Sequence, residues 1–262
     1  MHITDVLSLI EATAPLSGAA SWDKSGVQIA GSVDSVKRLA VTLDPTPHAI
    51  QEALDWGADC ILTHHPLAMS PRFLDTPGPF LDVARMVLSR GAWLYASHTS
   101  LDAQPDGPAG WLARELGLLN LSVLEQTDPN NANVGFGFVG DLPAPLAWDD
   151  FAKELGHCVP RDFWVTGRTH PEFIQTVSYC TGSGASLLDA ASAAGADVHI
   201  TGDVKYHQAL DASLFFVDVG HFSLEEKMIH IFADELSASL SESGISVHFI
   251  PGTEPFALHA GN

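Results

Sequence analysis

The chain has 262 residues, 46% of them apolar and 17% charged, with 32 acidic against 12 basic residues for a net charge of −20. That composition specifies a globular protein rather than a disordered one, and the acidic excess argues against DNA or RNA as a main partner, because nucleic-acid affinity is built on basic contacts to phosphate. No apolar run reaches the ~18 residues of a membrane span, no basic region with an apolar core opens the chain, and Cys60, Cys158 and Cys180 are widely spaced and odd in number, so free buried thiols in a reducing cytoplasm are expected.

Ile3 to Ala14 carries apolar residues at a helical period (Ile3, Val6, Leu7, Ile10, Ala14), with Thr4 or Asp5 as its N-cap and Pro15 beyond its end. Leu39-Ala40-Val41-Thr42-Leu43 reads as a strand. Asp44-Pro45-Thr46-Pro47 then opens a helix that runs to about Trp56 and stops at Gly57. A second strand follows and ends at Thr63-His64-His65-Pro66. Strand, helix, strand at this spacing is a βαβ unit, hence a parallel pair with a right-handed crossover. Pro79 to Ser89 is a helix, Ala92 to Ala96 a strand, and the stretch from Gly107-Pro108 to about Leu116 a helix closed by Gly117. Polar Thr127 to Asn133 reads as a loop near a lobe boundary. Val134 to Gly140 alternates Gly with apolar residues, the pattern of a strand beside closely approaching backbone, and Trp148 to Leu155 is a short helix.

The second half carries a faint copy of the first. Gly57-Ala58-Asp59 recurs as Gly195-Ala196-Asp197 and Thr63 as Thr201, at a constant offset of 138. Two related α/β lobes would produce this, and so would chance, since Gly-Ala-Asp after a helix is a common local solution. Thr181-Gly182-Ser183-Gly184-Ala185-Ser186 joins a strand to a helix. Its amides suit a phosphate or carboxylate, or simply make a turn, and it matches neither the usual phosphate loop nor the dinucleotide fingerprint.

Four segments place ligand-type side chains at expected strand ends: His64-His65; His98 to Asp102; Thr201 to His207; and Asp218 to Glu225. On a helix opening after Gly220, His221 and Glu225 share one face. Imidazole with carboxylate suits Zn, Fe, Mn or Ni, and a carboxylate can bridge two cations. Open α/β sheets bind ligands at these strand ends. The remaining histidines, among them His2, His48, His157, His170, His230, His248 and His259, form no cluster.

Ser21-Trp22-Asp23-Lys24-Ser25-Gly26-Val27-Gln28, Thr63-His64-His65-Pro66-Leu67, His98-Thr99-Ser100-Leu101-Asp102, Thr201 to His207 and Gly220 to Glu225 together resemble the signatures of the NIF-three-like dinuclear-metal proteins, often named GTP cyclohydrolase 1 type 2 homologues. The resemblance spans nearly the whole chain in family order. It implies two divalent metal ions per chain, held by His64, His65, Asp102, His221 and Glu225, with Glu225 bridging and His98 close by. It implies two similar α/β lobes with mixed sheets flanked by helices and the metal site in the cleft between them. We place one lobe at 1–123 and 203–262 and the second at 124–202. The resemblance further implies a homohexameric ring and the compact form without an inserted domain. The implied reaction is hydrolytic opening of the GTP imidazole ring by water, with His98 or His207 moving protons as the catalytic residues. Lys24 and Lys205 would face the triphosphate or simply solvent, and Lys24 stands where many relatives have Asn. Another dinuclear hydrolase, such as a phosphoesterase, and a non-enzymatic metal-handling or scaffold protein use the same ligands.

Overall fold

Residues 1–259 are described by a computed structural model. In chain order the elements are α1 (Ile3–Thr13), β1 (Gly26–Ile29), β2 (Arg38–Thr42), α2 (Pro47–Trp56), β3 (Cys60–Thr63), α3 (Pro79–Arg90), β4 (Trp93–Ala96), α4 (Thr99–Asp102), α5 (Trp111–Glu115) and β5 (Leu119–Asp128). They continue as β6 (Asn131–Ala147), α6 (Trp148–Cys158), β7 (Val165–Gly167), β8 (Phe173–Tyr179), α7 (Leu188–Ala193), β9 (Val198–Thr201), α8 (Tyr206–Asp211), β10 (Phe216–Asp218), α9 (His221–Leu240) and β11 (Ser246–Phe249). One mixed sheet has the order β1-β4-β3-β2-β11 and the other β5-β6-β8-β9-β10-β7.

Each sheet is built on the same parallel triplet, β2-β3-β4 in one and β8-β9-β10 in the other, with an antiparallel strand (β1 or β7) on the third member. The offset of 138 holds hydrogen bond by hydrogen bond. Asp59 Oδ2 accepts from the amides of Lys37 and Arg38 at 2.7 and 3.1 Å, and Asp197 Oδ2 accepts from those of Gln175 and Thr176 at 2.8 and 2.9 Å. Ala58 N–H donates to Ala53 and Ala196 N–H to Ala191. Thr63 and Thr201 keep the offset as acceptors, from Ser97 N–H and Val219 N–H, although these two donors do not. A carboxylate that holds two strand-entry amides explains why Asp recurs at both positions.

Alternation along the strands sets the layers. Leu39, Val41, Cys60, Leu62 and Tyr95 face a central core, while Ala40, Ile61 and Leu94 face Ile50, Val83 and Val87 of α2 and α3. From the second sheet Val177, Tyr179, Val198, Ile200 and Val217 reach the same central core, and Phe216 faces Leu188 and Ala191 of α7 on the outside. α1, α6 and α9 complete the centre through Val6, Ile10, Phe151, Leu155, Met228 and Phe232. Burying each such side chain contributes roughly 1.5–3 kcal/mol, so a core spanning both sheets binds the lobes firmly together. Two buried polar bonds cross it: Trp111 Nε1–H donates to Leu224 O at 3.2 Å, and Tyr179 O–H to Ala109 O at 3.0 Å.

The structure departs from the sequence reading in four places. Helix α1 is capped by His2, whose ring accepts from Thr4 N–H, rather than by Thr4 or Asp5, because an isolated bridge to Ser35 holds His2 extended. Thr127 to Asn133, expected as a loop near a lobe boundary, is the tip of the β5-β6 hairpin within the second sheet, with Asp128 opposite Asn131. The second sheet starts at Leu119 and takes in Phe216–Asp218, so the chain returns to the first sheet after Asp218 and not at residue 203; the register of β10 beside β9 and β7 requires it. Cys60 and Cys180 are buried free thiols, while Cys158 is half-buried. Among the described residues no helix is long and apolar enough to cross a membrane.

Candidate metal centre

The carboxyl ends of the parallel strands from both sheets converge on one cluster. β3 delivers His64 and His65, whose amides close onto Thr42 and Leu43 at the end of β2. β4 leads into the short helix α4, with His98 just before it and Asp102 at its end. β10 leads through Gly220 into α9, which places His221 and Glu225 one turn apart.

Every imidazole here is anchored through Nδ1 to an oxygen. His64 Nδ1 lies 2.8 Å from Ser97 O, His65 Nδ1 2.8 Å from Asp44 Oδ1, His221 Nδ1 2.8 Å from Asp203 Oδ2 and His98 Nδ1 2.7 Å from Asp23 Oδ1. A carbonyl or carboxylate can only accept, so Nδ1 carries a proton and Nε2 is left facing the cluster, where it takes a second proton or a cation. Glu225 is buried at the centre. Its Oε1 lies 3.5 Å from His64 Nε2, and its Oε2 lies 3.1 Å from His65 Nε2 and 2.7 Å from His221 Nε2. Asp102 Oδ2 is 3.7 Å from His64 Nε2, while its Oδ1 accepts from Thr181 Oγ1–H at 2.8 Å. Donor atoms fall within 4.8 Å of one another in three groups: His64, Asp102 and Glu225; His65, His221 and Glu225; and His64, His65 and His98.

His64 Nε2, His221 Nε2 and Glu225 Oε2 are buried with no hydrogen-bond partner among the described residues. His221 Nε2 and Glu225 Oε2, 2.7 Å apart, face the same space at the centre of the cluster. Buried polar atoms are almost always satisfied, and nitrogen and carboxylate oxygen donors in this arrangement fit divalent cations of the zinc, iron, manganese and nickel class.

Electrostatics points the same way. Burial opposes charge on the imidazoles, yet the neighbouring carboxylates prevail: Asp44 and Glu225 push His65 up to about 10, Glu225 and Asp203 push His221 up to about 9, and Asp102 and Glu225 raise His64. Burial would raise Glu225 as well, but the facing imidazoles His64, His221 and His65 hold its carboxyl well below the usual range. Asp102 is raised, by burial and by Glu225 beside it. The cluster draws positive charge to its centre, whether as protons or as cations.

Gly182 makes room for the carboxylate. Its φ is +61°, and a Cβ there would sit 2.0 Å from Glu225 Oε1 and 3.3 Å from His221 Nε2. The glycine-rich segment therefore lies against the cluster. It is held from below by His199, whose Nε2–H donates to Gly184 O at 3.1 Å while Nδ1 accepts from Ser178 Oγ–H at 2.9 Å.

Of the residues expected from sequence, His64, His65, His98, Asp102, His221 and Glu225 come together. His207 does not: it is exposed on α8, its ring edge-on to Tyr206, because α8 packs over the outer face of the second sheet. Lys24 and Lys205 are exposed and line neither cavity bordering the cluster. Sequence reasoning gave no role to Asp23, Asp44 or Asp203, the oxygens that orient three of the rings. Their signal was position, since Asp44 and Asp203 each lie within two residues of a parallel strand's end. Asp23 also accepts from Ser25 Oγ–H and Thr99 Oγ1–H, both at 2.6 Å; burial works against its charge, but these bonds and His98 keep its carboxyl low.

Two cavities open on the cluster and share His221. The larger, about 550 Å³, is lined by His65, Arg161, Phe163 and Phe222. The smaller, about 220 Å³, is lined by Trp22, His98, Asp102, Glu125, Phe136 and Glu225.

A family model described as Duf34/NIF3 (NGG1p interacting factor 3) matches residues 1–255. A Streptococcus pneumoniae protein named GTP cyclohydrolase 1 type 2 homolog is 28% identical over 98% of this chain and 99% of its own length. A Nostoc protein of the same name is 31% identical over 86% of this chain and 87% of its own. The crystal structure of a Bacillus cereus protein related to NIF3 superposes with a TM-score of 0.88 at 21% identity, covering 99% of both chains, a likeness of fold.

Proposed function

Since the chain belongs to the Duf34/NIF3 family, we propose that it is a metal-dependent hydrolase that holds two divalent ions. The supporting observation is Glu225, whose two oxygens face two different donor sets across one carboxylate. His64, Asp102 and Glu225 would hold one ion, and His65, His221 and Glu225 the other. Bound there, such ions supply Lewis acidity that polarises a substrate atom and lowers the pKa of water near neutral pH.

The reaction we assign is hydrolytic opening of the GTP imidazole ring, water adding at the carbon between its two nitrogens; the names of the curated relatives support it. His98 is the proton carrier. Asp23 fixes its Nδ1–H, so its Nε2 is free to take a proton from the attacking water and return it to the departing ring nitrogen. Asp44 and Asp203 keep His65 and His221 in the tautomer that presents Nε2. His207 has no part in this reading.

The test is metal content and GTP turnover on one tag-free preparation, comparing wild type with His65→Ala and Glu225→Gln. About two ions per chain, with turnover lost in both variants, is the expected outcome. Bound metal without turnover would discard GTP and direct the search to phosphoesters or to a metal-handling role. A wild type that takes up no metal after reconstitution would overturn the proposal.

A further inference from the structure

The smaller cavity has a composition that metal binding alone does not call for. At about 220 Å³ it lies below the ~300–1,000 Å³ of pockets that enclose drug-sized ligands, which leaves room for a bicyclic ring and not for a whole nucleotide. Trp22 and Phe136 give it flat apolar walls, and Ser183 and Ser186 add hydroxyls. Trp22 is 58% exposed, and its ring lies 6.1 Å from that of His98 at an angle of 70°. No lysine or arginine among the described residues lines this cavity. Glu125, opposite Phe136 in the β5-β6 register, also lines it, and among the described residues no side chain hydrogen-bonds or ion-pairs with its carboxylate.

Away from the cluster, a ring entering this cavity meets the Glu125 carboxylate with no lysine or arginine of the described residues beside it. A flat uncharged ring can lie against the aromatic lining, and a pair of adjacent N–H donors on its edge would satisfy a carboxylate with two charge-assisted bonds. We propose that the smaller cavity is the subsite for an uncharged planar heterocycle with paired N–H donors, the lactam–amidine edge of guanine being the type, and that Glu125 is the specificity-determining residue that reads that edge. The phosphates of a nucleotide lie outside it. The proposal rests on the reading above, that the adjoining cluster is a metal site acting on a purine-type substrate.

The experiment is isothermal titration calorimetry on the full chain, metal-free and after loading with manganese, using guanosine, GTP, inosine, 1-methylguanosine and adenosine. Guanosine should bind metal-free protein within about threefold of GTP, since a subsite of this size holds the base and leaves the phosphates outside it. Inosine, 1-methylguanosine and adenosine, each lacking one or both donors, should bind at least about tenfold more weakly. Glu125→Gln should lower guanosine affinity by about tenfold or more and leave adenosine unchanged. Equal binding of guanosine and 1-methylguanosine by wild type, which needs no variant, would overturn the proposal. So would a GTP preference that exists only with manganese, because phosphate on the ions would then be the sole anchor. Elemental analysis of the same samples separates the two readings: metal without base discrimination removes only the subsite, and base discrimination without metal removes only the metal centre.

Discussion

A single missing methyl group decides whether Glu225 can occupy the centre. Gly182→Ala would put a Cβ 2.0 Å from the carboxylate oxygen at a φ of +61°, whereas Gly195, at φ +81°, has nothing within 4 Å. Both substitutions should cost roughly 1–2 kcal/mol for left-handed backbone, but only Gly182→Ala should also lose bound metal. Thermal midpoints and elemental analysis of the pair isolate the steric effect. His199 gives a pH signature of its own. Burial lowers it from an ordinary 6.5 to about 4, although the Gly184 carbonyl favours its proton. Between those values the unfolded chain binds the proton and the folded chain does not, so stability is intact above pH 6.5 and falls as the pH drops toward 4. The full gap is worth roughly 3 kcal/mol. Denaturant midpoints measured from pH 7 to 4 should show this slope, and His199→Gln should flatten it.

The repeated element makes a sharper claim about cooperativity. Asp59 and Asp197 play the same part in the two parallel triplets, each holding two strand-entry amides. Asp59→Ala and Asp197→Ala should each cost about 1–3 kcal/mol, and the double variant should show their sum. Because the two sheets share a core, urea unfolding should remain one transition in all three; two transitions, each moved by one variant, would mean independent lobes. Much of this was legible in the chain. Pro47 at the first turn and Gly57 at the end bracket α2 as expected, and the apolar run before His64 is β3. What was hidden had no local mark. Ser246–Phe249 pairs in parallel with β2 across most of the chain's length, and short mixed-polarity strands such as Val165–Gly167 owe their state to a neighbour, not to their own pattern. His207 looked like its ligand-type neighbours because proximity in sequence says nothing of which side of the sheet a helix covers. Asp23 was quoted within a motif without a role, since its partners His98 and Thr99 lie some 75 positions away.

At the scale of the whole molecule, net charge sets the terms of assembly. We propose that the chain forms a homohexamer; exposed Phe73, Tyr206 and Phe256, at 87%, 75% and 71%, are side chains that an interface would cover. With −20 on each chain, six copies repel one another strongly in dilute buffer. Light scattering should show the larger species gaining at ~0.15 M salt over ~0.01 M, as the screening length falls from about 30 to 8 Å. A monomer at both would remove the hexamer.

The cluster draws on both ends of the chain. Asp44, His64 and His65 arrive early, Asp102 before the midpoint, and His221 and Glu225 only after the second sheet is complete. During synthesis the early donors leave the ribosome long before the carboxylate that joins the two sets. A half-made chain, or one cut short within the second sheet, lacks both His221 and Glu225 and so lacks the carboxylate that joins the two donor sets. Under the proposed ligand set, capture of two ions is thus tied to synthesis reaching α9, after every strand of the second sheet has been made.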